Sequence, residues 1–340
     1  GHTRRALHRR STRLSRAAAM TASRLSTHPA SAGVAPYAAL IALATMPEPA
    51  RLPLAGGRSG TTVRVHPLCT GEILLPPRAF DRPSGAFART RGKVRHLPRS
   101  RWQWVPVPAF LVEHPGAGLI LVDTGMHASV AIDPRISLGR RQPRSLPVRV
   151  RTEQALPAQL RARAVAPEQI KLVVMTHLHH DHASGIGQFP NATFVVTSLE
   201  WQIACRGGFR QGYRRAHFDH PFDWRTVDYA AAGTSGHGSF NRAVDLFGDG
   251  SVRLLFTPGH TRGHQSVLLR LTDGDLLLTG DAAYTQRTID ENLVPIFCVD
   301  EHLYRRSLRE IRDHVANRPG ALVICGHDGQ RWPQLEPIYA

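Results

Sequence analysis

The chain has 340 residues, 42% hydrophobic and 20% charged, enough to bury the core of one large α/β domain with segments to spare at its ends. No window approaches 18 uninterrupted apolar residues, so a helical membrane span is not expected. The formal net charge is +17, but residues 1–60 carry nine Arg against one acid, and Lys93 and Lys171 are the only lysines; this reads as a compositional bias, not as a surface selected for nucleic acid.

Residues 1–61 are rich in Arg, Ala and Ser, show no sustained periodicity, and are expected to be a disordered extension. Their Arg and Ser content and the apolar 36–46 stretch fit a targeting peptide, but an upstream extension with Met20 or Met46 as the truer start is the favoured reading. From Thr62 to Ala340 the pattern is that of one catalytic domain. Strands bounded by Gly, Pro or Asp are expected at 62–68, 108–112, 118–122, 171–176, 193–197, 252–257, 266–271, 276–280 and 321–325. Helical patterns fall at 152–164, 198–206 and 301–317; in the last, Leu303, Leu308, Ile311 and Val315 make one apolar stripe to lay on a sheet. Two sheets covered by helices are therefore expected. Between them, 78–101 carries seven Arg and one Lys and reads as an irregular loop, either solvated or serving as a lid or dimer contact. Cys69, Cys205, Cys298 and Cys325 are scattered without CxxC pairing, as expected of thiols in a reducing, cytoplasmic compartment.

The chemistry concentrates in Thr176-His177-Leu178-His179-His180-Asp181-His182, directly after an apolar strand. A rigid sheet can aim side chains in such a loop at one point. Imidazole and carboxylate ligands suit zinc and similar first-row ions, and four of them in six residues exceed what one tetrahedral ion accepts, so two ions are the economical reading. Three further apolar runs close on a ligand type: Thr257-Pro258-Gly259-His260, Thr279-Gly280-Asp281 and Cys325-Gly326-His327-Asp328. Each alone is ordinary turn chemistry; in order, they complete a ligand set.

That ordered set, HxHxDH then PGH, GD and GH, resembles the metallo-β-lactamase fold superfamily over roughly residues 62–340. The resemblance implies an αββα sandwich with a metal site at one edge. It assigns His177, His179 and His260 to one ion and Asp181, His182 and His327 to another, with Asp281 between them. The cofactors implied are two zinc or other divalent transition-metal ions.

Finer features are similar to the N-acyl homoserine lactonases: Leu121-Val122-Asp123-Thr124-Gly125, Thr257-Pro258-Gly259-His260-Thr261-Arg262-Gly263-His264-Gln265-Ser266 and Asp281-Ala282-Ala283-Tyr284. Tyr284 matches that family's substrate-polarising tyrosine. The reaction implied is lactone ring opening by a metal-bridging hydroxide, with Tyr284 polarising the carbonyl and Asp181 carrying the proton to the leaving oxygen. Asp123 is expected to accept the second N–H of a ligand histidine, and His264 to fix the turn carrying His260. His180 departs from the family, where an aromatic residue is common. The rivals are a phosphotriesterase, a glyoxalase II-like thioesterase or a β-lactamase on the same fold and, from another class, a non-catalytic metal- or nucleic-acid-binding protein. The partners expected are a small lactone and, at most, a second copy of the chain in a homodimer, with neither nucleic acid nor membrane.

Overall fold

The structure is a computed structural model that describes residues 47–82, 98–140, 142–231 and 234–340, all within one unit spanning 43–340. In chain order its strands are β1 (Glu48–Pro49), β2 (Arg64–Leu75), β3 (Gln103–His114), β4 (Gly118–Val122), β5 (Val148–Arg149), β6 (Leu172–Val174) and β7 (Thr193–Thr197). There follow β8 (Asp223–Val227), β9 (Ser235–His237), β10 (Phe240–Asp245), β11 (Val252–Phe256), β12 (Gln265–Leu271), β13 (Gly274–Leu278) and β14 (Leu322–Ile324). They form an eight-stranded sheet, β1-β8-β7-β6-β4-β3-β2-β5, and a six-stranded sheet, β14-β13-β12-β11-β10-β9.

Alternation along each strand builds the layers, because successive side chains leave a strand on opposite faces. Val112, Val122, Val174 and Val195 of the first sheet meet Leu254, Val267, Leu276 and Leu278 of the second in one buried layer. Their chain neighbours Leu111, Leu121, Val173 and Phe194 face outward onto Leu156, Leu160 and Trp201. On the far side Leu255, Leu268 and Leu277 pack against Tyr304, Leu308 and Ile311. Each such side chain contributes about 1.5–3 kcal/mol when fully buried. The result is the expected helix–sheet–sheet–helix sandwich, and no helix among the described residues is long and apolar enough to cross a membrane.

Several elements differ from the expectation. Packing begins upstream of Thr62: β1 pairs with β8, and the Ala50 N–H donates to the Thr226 carbonyl at 2.8 Å. Backbone bonds alone can add such an edge strand, so no hydrophobic pattern announces it. The segment 1–46, where the disordered extension was expected, lies outside the described residues. So does 83–97 of the Arg-rich loop; its described flank is tied down where the Arg82 N–H donates to the Val294 carbonyl. Strand β2 runs past Leu68 to Leu75 through an irregularity between Cys69 and Glu72. Gly71 there has φ +146 and no room for a Cβ, which would stand 2.6 Å from Val150 Cγ2, so a sequence that reads as a turn is a bulge. The helix expected at 152–164 is a 3-10 turn, Thr152–Gln154, followed by the helix Leu156–Arg161 with proline in its first turn. The last helix, Glu301–Asn317, buries Tyr304, Ser307, Leu308, Ile311 and His314, while Leu303 and Val315 are only half-buried flanks of that stripe.

Candidate metal centre

The polar loops gather at one edge, where strands of both sheets end. His177 to His182 follow β6, His260 follows β11, Asp281 follows β13 and His327 follows β14. All seven residues expected as ligands come together: His177, His179 and His260 form one group, Asp181, His182 and His327 another, and His177, His182 and Asp281 a third. Within each group the ligand atoms lie within 4.8 Å of one another. The two oxygens of Asp281 face different groups. Oδ2 is 3.2 Å from His260 Nε2 and 3.9 Å from His177 Nε2, whereas Oδ1 is 3.3 Å from both His182 Nε2 and His327 Nε2. His179 Nδ1 stands 2.8 Å from His260 Nε2, and His327 Nε2 3.6 Å from Asp181 Oδ2.

These atoms fit cations better than they fit one another. Among the described residues, His177 Nε2, His182 Nε2 and Asp281 Oδ1 are buried without a hydrogen-bond partner, an arrangement that costs about 1–3 kcal/mol per group unless something satisfies it. Burial pushes His177, His179 and His260 below the ordinary histidine value, which favours the neutral, ligating form. Burial acts the same way on His182 and His327, but the Asp281 carboxylate, aided by Asp123 at His182 and by Asp181 at both, outweighs it and holds them above that value. A cation seated against those carboxylates takes the proton's place and releases it. Burial alone would raise the Asp281 carboxyl, yet His327, His260 and His182 hold it well below the carboxylate range. Two groups with one shared carboxylate make a dinuclear site.

A surrounding shell fixes the ligands. His182 Nδ1–H donates to Asp123 Oδ2 at 2.7 Å, and Asp123 in turn accepts the Thr176 hydroxyl and N–H, each at 2.7 Å. Asp123 sits at φ 58 just past β4, a conformation that Asp and Asn tolerate better than most residues. His327 Nδ1–H donates to the Pro106 carbonyl at 2.9 Å. Both bonds leave Nε2 facing the centre. Asp123→Asn keeps the backbone conformation but loses one acceptor, and is expected to weaken metal binding by about 10–100-fold in a chelator-competition titration; unchanged affinity would contradict this role.

His264 fixes the loop that carries His260, as expected, through Thr257, and holds a second partner as well. Its Nε2 accepts the backbone N–H of Asp281 at 3.0 Å, and its Nδ1 meets the Thr257 hydroxyl at 2.9 Å. Thr257 continues to Ser266, whose hydroxyl donates to the Thr279 carbonyl at 2.8 Å. His264 thus holds the shared carboxylate's backbone rather than only the turn after His260. Gly280, at φ +52, leaves room for it: a Cβ there would lie 2.8 Å from His264 Nε2. His180 is buried with Nδ1 3.1 Å from Asp181 Oδ1. Tyr284 is buried, its hydroxyl 3.4 Å from His260 Nδ1 and its ring 5.1 Å from that of His327. Burial, then the Asp281 charge, pushes its phenol well above the ordinary value, so it keeps its proton.

Over the centre opens a cleft of about 500 Å³ whose floor includes His179, Asp181, His260, Asp281, Tyr284 and His327. Its walls include Ile73, Leu75, Leu146, Phe209, Ile296, Phe297 and Val299. Sequence reasoning missed these walls, because apolar residues scattered over the end of β2 and several loops look like core.

A four-layer α/β sandwich carrying a dinuclear centre of histidines and aspartates at its edge defines a class of metal-binding proteins. The family profile described as the Metallo-beta-lactamase superfamily matches residues 102–327, and the chain belongs to that superfamily. It is 38% identical over 239 residues to the N-acyl homoserine lactonase AttM of Azorhizobium caulinodans, covering 68% of this chain and 85% of that protein. It is 27% identical over 269 residues to the N-acyl homoserine lactonase AiiA of Bacillus thuringiensis subsp. kurstaki, covering 79% and 94%. Among solved structures, an N-acyl homoserine lactone hydrolase with the product N-hexanoyl-L-homoserine at its catalytic metal center shares the fold, with a TM-score of 0.66, 23% identity and coverage of 82% and 100%.

Proposed function

We propose that the chain is a dizinc hydrolase that opens the lactone ring of N-acyl homoserine lactones. The observation that carries this reading is the Asp281 carboxylate with one oxygen toward each ligand group, set beneath an apolar cleft that also holds Tyr284; the lactonase relatives agree with it. His177, His179 and His260 would hold one ion, Asp181, His182 and His327 the other, and Asp281 both. When bound, the ions supply a hydroxide nucleophile at neutral pH and Lewis-acid polarisation of the carbonyl.

The chain's own groups do the rest. The cleft walls take the acyl chain and shed its water, leaving the lactone head over the polar floor. The neutral Tyr284 phenol donates to the carbonyl oxygen as negative charge develops there. Burial alone would raise the Asp181 carboxyl, but His180, then His182 and His327, hold it well below the usual range. It is therefore ionised, and can take the proton left on the added oxygen once the ring carbonyl has been attacked and pass it to the ring oxygen as the ester C–O bond breaks. The free cysteines Cys69, Cys205, Cys298 and Cys325 agree with a cytoplasmic home, and the assembly proposed is at most a homodimer, with no nucleic-acid partner.

Tyr284→Phe is expected to retain both ions and lose about 10²–10³ in kcat; a variant with wild-type turnover would remove the phenol from the mechanism. The reading itself is tested by ring-opening assays on short- and long-chain N-acyl homoserine lactones beside a β-lactam, a glutathione thioester and a phosphotriester. Preferential lactone opening is expected. Preference for any of the others would overturn the substrate assignment.

A further inference from the structure

Glu200 lies on the helix Ser198–Arg206, outside the ligand set, and is 0% exposed. Its Oε1 accepts two hydrogen bonds, from the Leu178 N–H and from the Tyr213 hydroxyl, each at 3.0 Å. Leu178 is the residue between His177 and His179, so the first bond pins the loop that carries two ligands. The Tyr213 ring lies 4.9 Å from that of His179, and the same residues pair backbone to backbone. Tyr213 ends the segment Phe209–Gly212, which lines the cleft, and the Gly212 carbonyl accepts the His180 N–H at 3.0 Å.

A third segment meets the start of the same helix. That segment is the loop 261–263 after the ligand His260, which packs against the first turn of the helix. The start of the helix is fitted against that loop: Thr197 caps it by accepting the Glu200 N–H, and the Thr197 hydroxyl donates to the Gly263 carbonyl at 2.7 Å. A Cβ on Gly263 would stand 2.2 Å from the Glu200 nitrogen. No ion pair to Glu200 appears among the described residues, and burial raises its carboxyl above the ordinary glutamate value. A buried carboxylate without a cation is expensive, and a side chain of similar volume such as Met would fill the space at less cost.

We propose that Glu200 is a positioning residue whose single carboxylate locks two segments together, the His177–His179 ligand loop and the cleft wall that ends at Tyr213, from a helix start packed against the loop after His260. Metal retention and the fit of the acyl chain then depend on the same side chain, the second half of this statement resting on the lactonase reading above. The Tyr213 hydroxyl ties only the wall to this carboxylate, whereas Glu200 holds both the wall and the His177–His179 loop.

The test uses zinc-loaded holoenzyme and two readouts. The first is the rate at which the ions pass to a chromogenic chelator, which needs no substrate. The second is KM for a butanoyl and a decanoyl homoserine lactone. Glu200→Ala is expected to release metal about 10–100-fold faster, with Glu200→Gln, which keeps an acceptor oxygen, closer to wild type. Tyr213→Phe is expected to release metal at the wild-type rate and keep kcat, but to raise KM for the long chain about fivefold, the worth of one buried hydrogen bond, with little change for the short one. A folded Glu200→Ala protein that holds its ions as wild type does, or a Tyr213→Phe enzyme with unaltered long-chain KM, overturns the proposal. Should Glu200→Ala not fold, the Glu200→Gln and Tyr213→Phe pair decides: a shared anchor requires a double variant whose long-chain KM is less than the product of the single effects, and multiplicative effects contradict it. Absence of lactone opening in the wild type would sink the lactonase reading while leaving the metal-release comparison intact.

Discussion

Asp281→Ala is expected to abolish lactone opening and metal retention together. The two oxygens of this carboxylate face four imidazoles, His177 and His260 through Oδ2 and His182 and His327 through Oδ1, so its removal leaves two buried groups of nitrogens with no anion between them. Loss of a partner outside the ligand shell typically costs about 10–100-fold; loss of a shared ligand should exceed that, with kcat/KM lower by at least about 10³. Metal analysis and a thermal melt check the cause. Zinc at a hundredfold excess over its Kd should stabilise the wild type by about 2.7 kcal/mol and the variant far less. A variant that keeps its ions but not its activity would mean that Asp281 acts in the reaction rather than in holding the metals.

Gly326→Ala should be nearly as damaging, although glycine offers no ligand. A Cβ at this position would stand 2.6 Å from Asp281 Oδ1 and 2.7 Å from the Gly280 carbonyl oxygen. The second contact is backbone and cannot swing aside, so the carboxylate must move. The Gly326 N–H is meanwhile held by the Ala283 carbonyl at 3.1 Å, which keeps the clash in place. A displacement of 1 Å at a reacting centre can cost about 10²-fold, and that is the expected fall in kcat/KM, with weakened metal binding. Gly208→Ala is the control, since a Cβ there meets nothing within 4 Å; it should leave activity intact. Wild-type activity in Gly326→Ala would show that the Asp281 position is not critical.

The seven residues that converge at the centre were legible in the sequence because each belongs to a short local pattern: an apolar strand, a turn, and a histidine or aspartate. Those turns sit where strands of both sheets end, so local spacing and global position carry the same information. The layers were legible for the same reason, through short apolar runs bounded by turn residues such as β4, β7 and β12. What escaped reading depends on residues far apart in the chain. The Asp123 bond to His182 spans 59 positions, and the Glu200 bond to Leu178 spans 22; the first was expected only as a type of contact, the second not at all. Strands β9 and β10 went unread because Ser235, Gly236, Asn241 and Arg242 are exposed, so no apolar alternation marks this edge of the sheet. The hold of His264 on the loop carrying His260 was legible, but nothing local reveals that its ring also reaches the Asp281 amide.

The central claim is that seven side chains form one centre for two cations. The most direct measurement is the metal content of the purified chain after zinc loading and desalting, taken alongside Asp281→Ala. The account predicts about two ions per wild-type chain and a loss of both in the variant. One ion per chain, or none under any loading condition, would contradict it.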